Sequence, residues 1–186
     1  MYNNYQEYVK YISHEIQKIP NENELFWGMW ICENLYKQCK EYVYLYFPEN
    51  EALLINNSMD YLWKIVDEGL WDKQETKFIY EKFQQIDETF LDETDIKEKC
   101  IYETFIILNG GLEFVITSNG KWKYNVIQSN LDYLDVVLDN EGLNILNEKD
   151  FSNKIVENDI ESQLKMIEYL KINTCIASKD KNLFRY

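Results

Sequence analysis

The sequence predicts an all-α protein: a single-domain helical bundle of about six to seven helices over residues 1–186. Three observations carry that expectation. Apolar residues recur at alternating steps of three and four along most of the chain, which puts them on one face of a helix. Only 2 prolines and 6 glycines interrupt the 186 residues, so irregular stretches are few. Hydrophobic residues make up 46% of the chain, too many for a disordered polyelectrolyte and enough for one core. No Ser, Gly or Pro-rich linker and no internal repeat divides the sequence.

The elements follow in order. Tyr5, Val9, Ile12, Ile16 and Ile19 keep a helical rhythm, and Pro20 with Asn21 and Asn23 breaks the chain after them. The clearest stripe is Leu25, Met29, Cys32, Tyr36, Cys39, Val43 and Tyr46, stopped by Pro48. A third helix is read from Leu54, Ser58, Leu62 and Ile65, with Gly69 placed to end it in a left-handed conformation. Ile79, Phe83, Ile86 and Phe90 give a fourth.

A fifth helix is read from Ile101, Phe105, Leu108, Leu112 and Val115. Gly110 and Gly111 lie inside it, and each costs roughly 1 kcal/mol relative to alanine. Such a pair implies either a close helix contact or a break. A rival reading covers 114–126, where Asn119-Gly120 between FVITS and KWKYNV is a strong β-hairpin signal and Trp122, Tyr124 and Val126 alternate. Ile127, Leu131, Leu134 and Leu138 restore helical spacing up to Gly142. Residues 143–157 are polar and carry no assignment. Ile160, Leu164 and Ile167 mark the last helix before a short tail.

Charge narrows the partners. There are 33 acids against 18 lysines and the single Arg185, a formal net charge of −14. Nucleic acid and anionic membrane are poor partners for such a chain, because both need clustered Lys and Arg. A cationic protein is a good one, since complementary potentials steer encounter, although solubility alone also favours net charge. No apolar run approaches the roughly 18 to 20 residues that span a bilayer. The opening MYNNYQEYVKYISHEIQ has no basic region followed by an apolar one, so the cytoplasm is the expected compartment. Cys32, Cys39, Cys100 and Cys175 form no C-x-x-C pair, and Cys32 and Cys39, seven apart on the apolar stripe, read as buried structural thiols.

The chain is poor in catalytic signatures. His14 is its one histidine and reads as a surface or boundary residue, so di-iron, zinc and Ser-His-Asp arrangements lack their ligands or base. There is no phosphate-binding glycine loop, and Arg185 lies one residue from the end, which disfavours an arginine phosphate clamp. No cofactor is expected.

Two acidic features remain. The stretch QQIDETFLDETD, Gln84 to Asp95, holds Asp87, Glu88, Asp92, Glu93 and Asp95 around Phe90 with no lysine or arginine. It reads as a connection rich in helix caps or as a surface presented to a cationic ligand. Asp132, Asp135 and Asp139 form a row on one helical face beside Tyr133. That row is a solvated flank, a Mg²⁺ site of carboxylates, or a protein-binding face with an aromatic anchor.

Cys32-Glu33-Asn34-Leu35, followed by Tyr61-Leu62-Trp63 and Asp132-Tyr133-Leu134-Asp135, resembles the landmarks of the YjaG-like family of all-helical bacterial proteins of unknown function. Asn34 stands where that family tends to carry arginine. The arrangement over residues 25–140 also resembles helical immunity proteins of bacterial polymorphic toxin systems. The resemblance implies an all-α fold and toxin neutralisation, and it brings no catalytic residues.

The expectation is therefore a non-enzymatic immunity protein that binds a cognate, basic toxin and blocks its active site. The binding candidates are Asp87, Glu88, Phe90, Asp92, Glu93, Asp95, Asp132, Tyr133, Asp135 and Asp139. Two alternatives stay open: a carboxylate-dependent metal enzyme acting on a phosphorylated small molecule, and a helical scaffold whose acids serve solubility. A homo-oligomer through exposed aromatics is also open.

Overall fold

A computed structural model describes residues 4–184, and among them every regular element is helical. The helices are α1 (Tyr5–Glu15), α2 (Asn21–Tyr46), α3 (Glu49–Glu68), α4 (Lys73–Phe83), α5 (Ile96–Thr117), α6 (Trp122–Asp139), α7 (Glu148–Phe151) and α8 (Lys154–Ile172). Two 3₁₀ segments, Ile16–Lys18 and Ser178–Phe184, complete the set. The seven expected helices are present. The eighth, α7, is a single turn inside the polar segment that carried no assignment. Arg185 lies outside the described residues.

The helix ends have local causes. Pro20 and Pro48 precede α2 and α3 with φ of −56° and −52°, values already suited to a helix start. Gly69 closes α3 at φ 63°, where a Cβ would be strained. Asp72 caps α4 by accepting from the backbone N–H of Gln74 and Glu75 at 2.7 and 3.0 Å.

α2 and α5 form the central pair, with α6 along α5 and α3 and α4 on the remaining sides. The buried hydrophobic residues make one cluster that runs through all these helices. Six members of the α2 stripe are buried as expected, whereas Tyr46 is exposed. α5 is long and apolar enough to cross a membrane, with a mean hydropathy of 1.3 over its best window. The expectation that no run reaches that length is corrected on this point. Most of that window is buried within the bundle, so its apolarity is used in packing.

The hairpin reading of 114–126 is overturned. Phe114 to Thr117 complete α5, Ser118 takes a left-handed conformation at φ 56°, and α6 begins at Trp122. A strand would put Trp122, Tyr124 and Val126 on one face. Instead Trp122 and Val126 are 3% and 0% exposed and Tyr124 is 43% exposed, which is the pattern of a helix.

Gly110 and Gly111 mark a close contact rather than a break. The Trp122 indole lies across them and across Gly28 of α2. A Cβ would fall 2.3 Å from the ring at Gly28, 2.4 Å at Gly110 and 3.2 Å at Gly111. The ring stacks on Phe114 with centroids 5.1 Å apart. Its Nε1–H donates to the carbonyl of Ile107 at 3.1 Å. The three glycines thus seat one indole between α2, α5 and α6.

One expectation for α4 is also corrected. The helix stops at Phe83, and Ile86 and Phe90 lie in the following loop. Ile86 remains buried while Phe90 is exposed and packs on Phe47 with ring centroids 5.4 Å apart.

Candidate functional site

The acidic stretch is occupied with shaping the α4–α5 connection. Asp87 accepts from the N–H and hydroxyl of Thr89, and Asp92 does the same for Thr94. These bonds hold both carboxyl groups below their ordinary pKa. Asp95 is the N-cap of α5, accepting from Lys97 and Glu98 N–H at 2.8 and 3.0 Å. The cap reading is therefore correct for Asp95, whereas Asp87 and Asp92 close turns within the connection and cap no helix.

Glu93 leads elsewhere. It pairs with Lys99 at 2.9 Å, and Lys99 also pairs with buried Glu103 at 2.8 Å. The Lys99 ammonium lies 5.3 Å from the Tyr102 ring centroid. Burial raises the pKa of Glu103; Lys99 and Ser129 oppose that shift, and Asp132 lies near enough to add to it. A continuous run of interacting charges thus joins the loop, α5 and α6, and brings Glu93 and Asp132 into one neighbourhood. Glu88 is half-buried and close enough to Tyr102 to raise its pKa.

On α6, Asp132 accepts from Gln128 at 2.6 Å. Asp135 and Asp139 are exposed, with no ion-pair partner among the described residues. From Tyr124 to Glu148 the chain carries five acids and no lysine or arginine. Among the described residues no three His, Cys, Asp or Glu side chains converge to hold a metal ion, and the row of Asp132, Asp135 and Asp139 is no exception.

Tyr133 sits beside this row at the wall of a groove of about 460 Å³ between α2, α6 and α8. Burial raises its phenol pKa to about 12, so it stays neutral. Asn34, Lys37 and Gln38 of α2 and Asn130 of α6 also line the groove, and Asp159 of α8 belongs to it. Asp159 Oδ2 accepts from Asn130 Nδ2 at 2.9 Å and from Gln163 Nε2 at 2.6 Å. With two neutral amides and no cation against it, burial pushes its pKa up to about 6.

A second cavity, about 520 Å³, lies at the start of α2 beside exposed Trp71. Its charged pair, Glu24 and Lys123 at 2.5 Å, is self-neutralising. The groove differs because its carboxylate, Asp159, is held between helices by two neutral amides. Sequence reasoning missed Asp159: with Gln163 four residues on, it reads as an ordinary solvated helix face.

His14 is exposed and Cys32 and Cys39 are buried thiols, as expected; Cys100 is buried as well and Cys175 is exposed. Compared with protein-family models, curated proteins and solved structures, the chain matches nothing.

Proposed function

We propose that this chain is an acidic helical binding protein of the immunity type, which docks on a cognate basic bacterial toxin and blocks its active site. The observation that carries the reading is the uncompensated row Asp132, Asp135 and Asp139 on α6, set beside the aromatic wall of Tyr133 and joined through Glu103 and Lys99 to Glu93. Rigid carboxylates attract a cationic surface at long range, and a half-buried tyrosine supplies contact area at little entropic cost. The acids of the α4–α5 loop are secondary, since Asp87, Asp92 and Asp95 already serve backbone N–H groups.

The test is growth rescue. The chain is coexpressed with the basic C-terminal domain of a large secreted protein encoded beside its gene. Wild-type chain rescues growth, and the combined D132K, D135K and D139K variant loses rescue, with the complex weakened at least about 100-fold, consistent with about 2 to 5 kcal/mol for each desolvated pair broken. Undiminished rescue by that variant overturns the site. Failure of the wild-type chain to bind any such domain overturns the function.

A further inference from the structure

We infer that the groove between α2, α6 and α8 receives one arginine or lysine side chain of the partner protein, with Asp159 as its counter-charge and Tyr133 and Trp30 as its walls. The inference rests on the immunity reading for the source of that side chain, and on the groove itself for its chemistry.

Two acceptors lack donors within the chain, one on the groove lining and one buried on an amide that holds it. Both amides that hold Asp159 bond to Oδ2, so Oδ1 takes no hydrogen bond among the described residues. Gln163, 1% exposed, spends its nitrogen on Asp159 and leaves its buried Oε1 without a partner. The carboxylate fixes which end of that amide is nitrogen, because only a donor can face it. A carboxylate oxygen left open on the groove lining calls for a cationic donor, and a guanidinium carries five N–H groups. Tyr133 and Trp30 line the same groove, and aromatic side chains suit that group.

The remaining charged or titratable groups facing the groove do not supply that cation. Lys37 of α2 lines it, but its ammonium lies 3.2 Å from Glu33. Tyr133 of α6 is neutral, and Phe184 of the C-terminal 3₁₀ segment brings no charge. The groove of about 460 Å³ is large enough for a side chain together with its backbone, and Asn34, Gln38 and Asn158 offer amides to that backbone.

The probe is N-acetyl-arginine-methylamide, titrated into the full chain and followed by amide and indole NMR signals. Acetyl-citrulline-methylamide is its uncharged isostere, and agmatine is a free guanidine without a peptide backbone. Saturable shifts of the Trp30 indole and of the Asn34 and Asn130 side chains are expected with the arginine probe. Affinity at least about tenfold weaker is expected for citrulline and for Asp159→Asn. With wild-type chain, affinity should fall about tenfold from pH 7.5 to 5, as Asp159 takes up its proton.

That pH arm decides the matter should Asp159→Asn fail to fold. No saturable shift, equal binding of citrulline, or affinity indifferent to pH overturns the inference. Tighter binding of agmatine than of the capped arginine also overturns it, by assigning the groove to a small molecule. The D132K, D135K and D139K variant keeps its groove, so arginine binding and growth rescue can fail independently.

Discussion

Gly28→Ala is the sharpest test of how the bundle is assembled, because two effects of known size oppose each other at that position. Alanine in place of a mid-helix glycine stabilises by about 1 kcal/mol. Against this, the new methyl would lie 2.3, 2.6 and 3.0 Å from three atoms of the Trp122 ring. That ring cannot swing away freely, being stacked on Phe114 and bonded to the Ile107 carbonyl. Overpacking of this kind costs about 1 to 3 kcal/mol. Contact with three atoms of one rigid ring argues for the upper end, so the net expectation is a loss of about 2 kcal/mol.

Trp122→Ala should itself cost about 3 to 5 kcal/mol. In that background the obstruction is gone, and Gly28→Ala should stabilise by up to about 1 kcal/mol. The coupling in the double-mutant cycle is therefore about 3 kcal/mol, read from urea unfolding followed by far-ultraviolet circular dichroism. If Gly28→Ala stabilises the otherwise wild-type chain, or destabilises equally with and without the indole, the proposed seat of Trp122 is wrong.

Other expectations follow from single interactions. Lys99→Met leaves Glu103 buried without its cation and should cost about 3 to 5 kcal/mol, with Glu103→Leu added in the same chain recovering most of it; a loss under about 1 kcal/mol contradicts the pairing. Asp159 has a folded-state pKa of about 6 against an ordinary 3.8, so its contribution is full below about pH 4 and is lost as pH rises through 6. Asp159→Asn should then stabilise by on the order of 1 to 2 kcal/mol at pH 7.5, discounted for partial exposure, and by nothing at pH 4 in thermal melts. Cys175 alone should react with a maleimide in the native chain, and all four thiols after denaturation, since Cys32, Cys39 and Cys100 are buried, burial raises the Cys32 thiol, and the Cys39 thiol beside it together with burial raises Cys100.

The helix axes were legible because each stripe repeats at steps of three and four. The position of each helix in the bundle was not. Residues 23–32 of α2 are buried on every side, including Phe26, Trp27 and Ile31, which no single stripe contains. Around Phe90 a loop imitates helical spacing: Asp87 turns the chain after Phe83, yet Ile86 still finds the core. Charge was legible as a quantity, and its division into caps and open carboxylates was not, since capping depends on backbone N–H groups that exist only once helices end. The groove was hidden for a different reason. Asn34, Asn130 and Asp159 come from three helices far apart in sequence, and each alone is an ordinary polar residue.

Among the described residues, at least eight of the 18 lysines are committed to internal ion pairs, with Lys99, Lys123 and Lys171 among the most buried. The surplus of acids is left on the outside, most openly along α6. Such a chain repels itself, and a cationic partner relieves the same repulsion that it exploits for approach. Salt should therefore act in opposite directions on the free and bound forms. Raising it from about 0.1 to 1 M shortens the screening length from about 10 to 3 Å. The melting temperature of the isolated chain should rise by a few degrees, while association with the basic partner slows by at least about tenfold. A complex whose association rate ignores salt would mean that the acids serve solubility alone, and docking would then rest on the aromatic surface without help from charge.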